Sequence, residues 1–282
     1  MKPLKFASGI TIGADHIKLR KNGQDSLMMV EKKEFVVGVV TDGCGDGIDS
    51  PYSEVGSRIG ATTAANYIAF RLESTAKWRW DYMLHSKSFW DSVQQHILNR
   101  IEDTARGMGG NFSKNVIRHF LFTIVGMIIT PDLTLFFGSG DGYYFLNEME
   151  YPLLVKDEKN MPPYLAYNLV ETDLKKMSAV DLRLRVRQIM STDLVSSAMV
   201  ATDGIEWISN FPEKIVPGTS IPVGQVNQFW INKDYYENPT ALDWRLNLLA
   251  TDKKRIDWKA QELEVQPAIL KDDLAIVVAS RI

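Results

Sequence analysis

Apolar positions along the chain fall into two periods. The runs FASGITIG, FVVGVV, FLFTIVGMIIT, LTLFFGSG, YYFLNEM, SSAMVA and LAIVVASRI are short and rich in Val, Ile, Phe and Leu, which predicts buried strands. Pro131-Asp132 between two of them predicts a hairpin turn, so at least part of the sheet is antiparallel. Three stretches have helical spacing instead: Ser53 to Glu73 with Val55, Ile59, Ala64 and Ile68, Ser88 to Arg106 with Phe89, Val93, Ile97 and Ile101, and Thr240 to Ala250 with Leu242, Leu246 and Leu249. Strands and helices come in blocks rather than strict alternation, which predicts an α+β layered fold over a doubly wound parallel sheet. LRLRVRQIM, residues 182 to 190, alternates Leu or Val with Arg, as a strand with one solvated face should. From Glu206 to Pro239 the chain is irregular, and Trp207, Phe211, Trp230, Tyr235 and Tyr236 are expected to cover a sheet edge.

Composition narrows the function. A chain of 282 residues with 45% hydrophobic and 24% charged side chains can bury a substantial core. A net charge of -3 gives no electrostatic footprint for nucleic acid, and no basic block marks a membrane surface. No apolar run approaches the roughly 20 residues of a membrane helix, and the opening MKPLKFASGITIG lacks a signal-peptide core, so a cytoplasmic protein is expected. The single cysteine, Cys44, excludes an intramolecular disulfide and a CxxC metal site. A cysteine phosphatase would need an arginine about six residues on, where Ser50 stands, so Cys44 is expected to be a small buried apolar residue.

The candidate chemistry lies at the strand ends. Three apolar runs stop in the same way, at Asp42-Gly, Asp141-Gly and Asp203-Gly, while Asp272 and Asp273 lead into the last run and Asp25 precedes LMMV. Each Asp-Gly pair alone is an ordinary turn. If the ends share one edge, several carboxylates converge, and two of them about 4 Å apart repel by roughly 4 kcal/mol at an effective dielectric near 20. Such a cluster takes up protons or cations. With no Cys or His at ligand spacing the donors are all oxygen, which suits Mg²⁺ or Mn²⁺. Two such ions form a hydrolytic centre for phosphoryl groups, needing no protein nucleophile.

These residues resemble the metal-dependent protein serine/threonine phosphatases of type 2C. LRKNGQDS is similar to the family's Arg-x-x-x-Glu/Gln-Asp motif, VVTDGCGDG to its Asp-Gly metal motif, FFGSGDGYYFL to its "GDSR" turn, MVATDGIEW to "ATDG" and LKDDLAIVV to "DN", in order across nearly the whole chain. The bacterial subgroup resembles it most, through the spacing of His16 to Gln24-Asp25 and the segment SEVGSRIGA. The resemblance implies one domain over residues 1–282, an αββα sandwich of two mainly antiparallel sheets. It also implies a binuclear Mn²⁺ or Mg²⁺ centre, with a third-metal site. Asp42 would bridge both ions, Gly43 would offer its carbonyl, Asp203 and Asp272 would complete one shell, and Asp25 would hold waters on the other. Asp141 with Asp203 would form the third site, and Arg20 would grip the phosphate. The implied partners are phosphoproteins, with a serine/threonine kinase or its targets among them.

Departures bear on substrate rather than chemistry. Cys44 stands where animal members have a histidine proposed as general acid, which leaves protonation of the leaving group to water. Gly142 and Tyr143 replace the Ser and Arg of "GDSR", the Asp-His-Ser motif that usually follows it is absent, and Asp273 replaces the Asn of "DN". A flap is expected within Pro152 to Ser178. Two rival readings are a catalytically inactive binding module that uses loop 206 to 239, and a phosphatase of a small phosphorylated metabolite.

Overall fold

The computed structural model describes residues 2–45, 50–154, 162–171 and 181–282. Its strands are β1 (Lys5–Thr11), β2 (Ser26–Glu31), β3 (Val36–Gly43), β4 (Phe122–Ile129), β5 (Leu133–Ser139), β6 (Tyr143–Leu146), β7 (Met149–Pro152), β8 (Arg185–Ser191), β9 (Ser197–Ala201), β10 (Lys253–Asp257), β11 (Glu262–Gln266) and β12 (Leu274–Ser280). The first helices are α1 (Ala14–Leu19), α2 (Ser53–Ser74), α3 (Trp80–His85), α4 (Lys87–Gly107) and α5 (Phe112–His119). One five-stranded sheet has the order β1-β12-β9-β6-β7, the other β2-β3-β4-β5-β8, and β10 pairs β11 in a separate hairpin. Every one of these strand pairings is antiparallel.

Side-chain parity explains why the two sheets stack. In β3, Val40 turns toward the other sheet while Val37 and Val39 turn toward the helices, because successive strand residues face opposite sides. Val125, Met127 and Phe136 join Val40 against Val200, Ala275 and Val277 of the facing sheet. On the outer side of the first of these sheets, α2, α4 and α5 supply Ala64, Ile68, Val93, Ile97 and Val116. The outer side of the other sheet, with Ile276 and Val278, is covered by Leu242 and Leu246 of the helix Ala241–Leu249 together with Phe229, Trp230 and Tyr235. These layers make the αββα sandwich that the family resemblance implies.

Several expectations shift on contact with the structure. YYFLNEM is two strands rather than one, because Asn147 and Glu148 adopt positive φ (48° and 72°) and turn β6 into β7. The segment 206 to 239 holds short helices at Glu206–Ser209, Gln228–Ile231 and Asp234–Glu237. Its aromatics Phe229, Trp230 and Tyr235 are buried in the outer core rather than laid over a sheet edge, since they fill the face that one nine-residue helix cannot cover. In 182 to 190, Leu182 and Leu184 are buried while Arg183 and Arg185 both pair with Asp181 at 2.8 and 2.6 Å, so those two arginines lie on a solvated face. The second Asp-Gly pair, at 46 and 47, and most of the expected flap lie outside the described residues.

Candidate metal centre

Strand register gathers the acidic ends. Ser26 pairs Thr41, which brings Asp25 and Asp42 to the same end of adjacent strands, and Asp42 pairs Thr123 on β4. Asp42 shares the inward parity of Val40, as Asp25 shares that of Leu27 and Met29. Asp141 sits on the turn that carries the chain from β5 in one sheet to β6 in the other. Glycines on both sides have φ of 91° and 108°, a region where an L side chain is strained, so the Gly-Asp-Gly order is what lets this turn cross between sheets. Across the sandwich, Ala201 pairs Ile276, and Asp203 at the exit of β9 therefore meets Asp272 and Asp273 at the entry of β12.

Backbone packing at this corner is close enough to require glycine twice. A Cβ on Gly204 would fall 2.0 Å from the Asp273 carbonyl oxygen, and one on Gly13 would fall 2.2 Å from the Asp272 carbonyl carbon. The Asp272-Asp273 pair is thus held between two bare backbone segments.

The two members of that pair do different work. Both Asp273 carboxylate oxygens accept backbone amides, Oδ1 from Gly13 at 2.7 Å and Oδ2 from Gln24, and His16 Nδ1 lies 2.9 Å from Oδ1. Asp273 therefore ties α1 and the start of β2 to β12. Hydrogen bonding to Asp273 raises the His16 pKa above its ordinary value, against the opposing effect of burial. Asp272 is open to solvent at the cleft; partial burial of its carboxyl raises its pKa, opposed by the Asp273 amide it accepts at 2.9 Å.

Asp25 and Asp42 are the inner pair. Burial first, then the charges of Asp273, Asp203 and Asp272, push the Asp25 pKa well above the carboxylate range, while a 2.6 Å bond from the Thr202 hydroxyl pulls it down. For Asp42 burial again leads, followed by Asp25, Asp203, Asp141 and Asp272. The charges acting most strongly on both are carboxylates, so protons or cations must offset them. This all-oxygen, strongly anionic donor set fits hard divalent ions. Among the described residues, the ligand-type atoms that approach as a trio within 4.8 Å are those of His16, Asp272 and Asp273. Two of these already contact each other, which makes that trio a structural clasp. Asp25, Asp42, Asp141 and Asp203 gather more loosely, as like charges do.

Of the other residues singled out from sequence, Gly43 ends β3 and its amide donates to the Gln24 carbonyl at 3.1 Å. Arg20 caps α1 in the left-handed region (φ 56°), with an exposed side chain that forms no ion pair with a described residue. Cys44 is half-buried against the helix-side core near Tyr164, whose hydroxyl pKa is pushed up by burial and then by Cys44, Asp42 and Asp141.

Sequence reasoning missed three supporting groups. Thr202 gives its hydroxyl hydrogen to Asp25 and accepts the Ala275 amide at 2.9 Å, joining the two sheets with one side chain. Asp273 was singled out among the strand-end acids and as a departure from a motif, but its clasping role was not foreseen, and Tyr164 was not singled out at all. The parity that Thr202 shares with Ala198 and Val200, and Asp273 with Ala275 and Val277, was the available signal.

A cleft of about 310 Å³ opens beside this corner, lined by Asp203, Gly204, Glu206, Trp207, Asn210, Phe211 and Asp272. With this geometry in place, the chain matches the family model described as protein phosphatase 2C over residues 12–231. Its fold is similar to the crystal structure of a bacterial serine phosphatase, at 10% identity and a TM-score of 0.51, covering 100% of this chain and 98% of that one. It is similar as well to the serine/threonine phosphatase Stp1 from Staphylococcus aureus, at 10% identity and a TM-score of 0.50, covering 99% of this chain and 95% of that one. At such identity the likeness is one of fold. No curated protein matches the sequence.

Proposed function

The chain belongs to the protein phosphatase 2C family, and from that premise we propose that it hydrolyses phosphoserine and phosphothreonine in proteins at the acidic end of its sandwich. The observation that carries this reading is the gathering of Asp25, Asp42, Asp141, Asp203 and Asp272 at that end, where loss of solvent and the neighbouring negative charges raise the pKa values of buried Asp25 and half-buried Asp42. In this reading Asp42 would serve both of two Mn²⁺ or Mg²⁺ ions and Gly43 would offer its carbonyl to one of them, Asp203 and Asp272 would complete one shell, Asp25 would hold waters on the other, and Asp141 with Asp203 would support a third ion. Ions held there would supply charge neutralisation for the phosphoryl group and lower the pKa of the attacking water.

The chain's own groups position this set. Thr202 orients Asp25, and Asp273 fixes the segments carrying Gly13, His16 and Gln24. Arg20, exposed at the end of α1, offers a planar fork to two phosphate oxygens. Serine phosphatases among the similar folds favour a phosphoprotein substrate. A cytoplasmic setting beside a serine/threonine kinase accords with this reading. Among the described residues no helix is long and apolar enough to cross a membrane.

Purified protein should release phosphate from p-nitrophenyl phosphate and from phosphoserine peptides when Mn²⁺ is supplied, and EDTA should stop it. Turnover indifferent to EDTA, or unchanged by Asp42→Ala and Asp203→Asn, overturns the reading. An inactive binding module would show neither turnover nor uptake of Mn²⁺ in a calorimetric titration.

A further inference from the structure

The ladder between β6 and β9 stops just short of two carboxylates. Tyr143 pairs Ala201 at its last step, so Asp141 lies two residues past that step on one chain segment and Asp203 two residues past it on the other. Carried on, an antiparallel ladder would set Asp141 and Asp203 opposite each other, where like charges are destabilising. It ends because Gly142 turns the chain at a φ of 108° while Asp203 opens a 3-10 turn. The two backbones are still in close contact there, since a Cβ on Gly142 would lie 3.0 Å from the Ala201 carbonyl oxygen.

Beyond the ladder a side-chain bond joins the same two segments. The Tyr143 hydroxyl donates to Glu206 Oε1 at 2.6 Å, between two half-buried side chains. The Glu206 amide donates to the Asp203 carbonyl, so Glu206 stands one 3-10 turn above Asp203. Burial and then the Glu206 bond push the Tyr143 pKa up, which keeps the hydroxyl a donor, and the Asp203 charge reaches the same hydroxyl. Asp141 itself sits between two glycines of positive φ, which restrain it little, so its place is set by contacts of the flanking chain. The Leu153 amide ties the turn on one side, at 2.9 Å from the Gly142 carbonyl, and Tyr143 ties it toward Asp203.

We infer that the Tyr143–Glu206 bond is a strap that holds Asp141 and Asp203 at a spacing suited to one shared divalent ion, which makes Tyr143 and Glu206 positioning residues and not ligands. The inference rests on the phosphatase reading above, in which those two aspartates support the third ion. Released from the strap, the carboxylates move apart as their charges favour, and the shared ion must draw them together again. Affinity for that ion then falls, while the ions served by Asp42 are affected less. Tyr143 stands where the family turn has arginine, so the strap is a device of this chain's own residues.

Calorimetric titration of Mn²⁺ into metal-free protein tests it. The step in question is the one that Asp141→Asn abolishes. Tyr143→Phe, which removes the hydroxyl and keeps the ring, should weaken that step about tenfold and leave the others within about twofold. The Mn²⁺ concentration for half-maximal turnover of p-nitrophenyl phosphate should rise by a similar factor, with KM for the substrate unchanged. Glu206→Gln keeps an acceptor oxygen and should stay within about threefold of wild type, whereas Glu206→Met should weaken the step at least as much as Tyr143→Phe. The double variant should be no weaker than Glu206→Met alone, a cycle that separates this pair from the other contacts of each residue.

No step lost in Asp141→Asn, additive losses in the cycle, or a Tyr143→Phe effect confined to the melting temperature in EDTA overturns the strap, and continued Mn²⁺-dependent turnover then leaves the phosphatase reading standing. The expected binding pattern without turnover of any substrate supports the strap and overturns the phosphatase reading. Wild-type protein that takes up no Mn²⁺ overturns both.

Discussion

The two sides of the acidic end hold their carboxylates differently. On the β2–β3 side Asp25 and Asp42 sit in the inter-sheet parity, and burial is the leading cause of their raised pKa values. On the β9–β12 side Asp203 and Asp272 border an open cleft, and Asp272 is offset by a backbone amide and by His16. The inner pair depends on protons or cations for its charge to be tolerated, whereas the outer pair can share its charge with water. In the proposed reading both walls contribute ion-holding carboxylates, and Asp203 and Asp272 on the β9–β12 wall also border the cleft.

The largest expected effect is on the inner wall. Asp42→Asn should lower Mn²⁺-dependent turnover by about 10³-fold, the equivalent of roughly 4 kcal/mol of lost electrostatic stabilisation. The same variant should raise the melting temperature of EDTA-treated protein by relieving like-charge repulsion; a fall instead would remove the contrast between the walls. Next comes the clasp behind the outer wall. Gly204→Ala places a Cβ 2.0 Å from the Asp273 carbonyl oxygen and should lower the melting temperature by about 5–10 °C, equivalent to some 2–3 kcal/mol of overpacking. Thr202→Val removes the donor to Asp25 and should weaken Mn²⁺ binding about 10–100-fold by calorimetry, with the fold preserved by circular dichroism.

The smallest effect is a pH dependence. The folded pKa values of Asp25 and Asp42 lie above the ordinary value of 3.8, so the native state keeps protons that the unfolded state gives up. Their contribution to stability is present below about pH 4 and is lost as pH rises toward the folded values. EDTA-treated wild-type protein should therefore lose melting temperature across that rise, and Asp42→Asn should flatten the slope.

Much of this was legible because strands announce themselves twice, by apolar runs and by the turn chemistry at their ends. The helix predicted at Ser53 to Glu73 is observed at Ser53–Ser74, and that predicted at Ser88 to Arg106 at Lys87–Gly107. The helices α1, α3 and α5 and the β10–β11 hairpin were not foreseen. The two shortest of these helices have only six residues, and both strands of the hairpin are largely exposed, so no one-sided apolar pattern marks it. Trp230 and Tyr235 looked like loop residues because helices of four residues present no period to read. At the site, the sequence pointed to Asp25, Asp42, Asp141, Asp203 and Asp272. It could not show that Asp273 binds the amides of Gly13 and Gln24, since those partners are 260 and 249 residues away along the chain.

The place of β12 has a consequence for how the molecule comes into being. It lies between β1 and β9, so a growing polypeptide that has reached only residue 260 has the strands of both neighbours made and nothing to zip them together. The same late segment delivers Asp272 and Asp273. The chain must therefore be made through Ser280 before the acidic pocket can close, and until then two bare strand edges must be shielded from pairing with other chains.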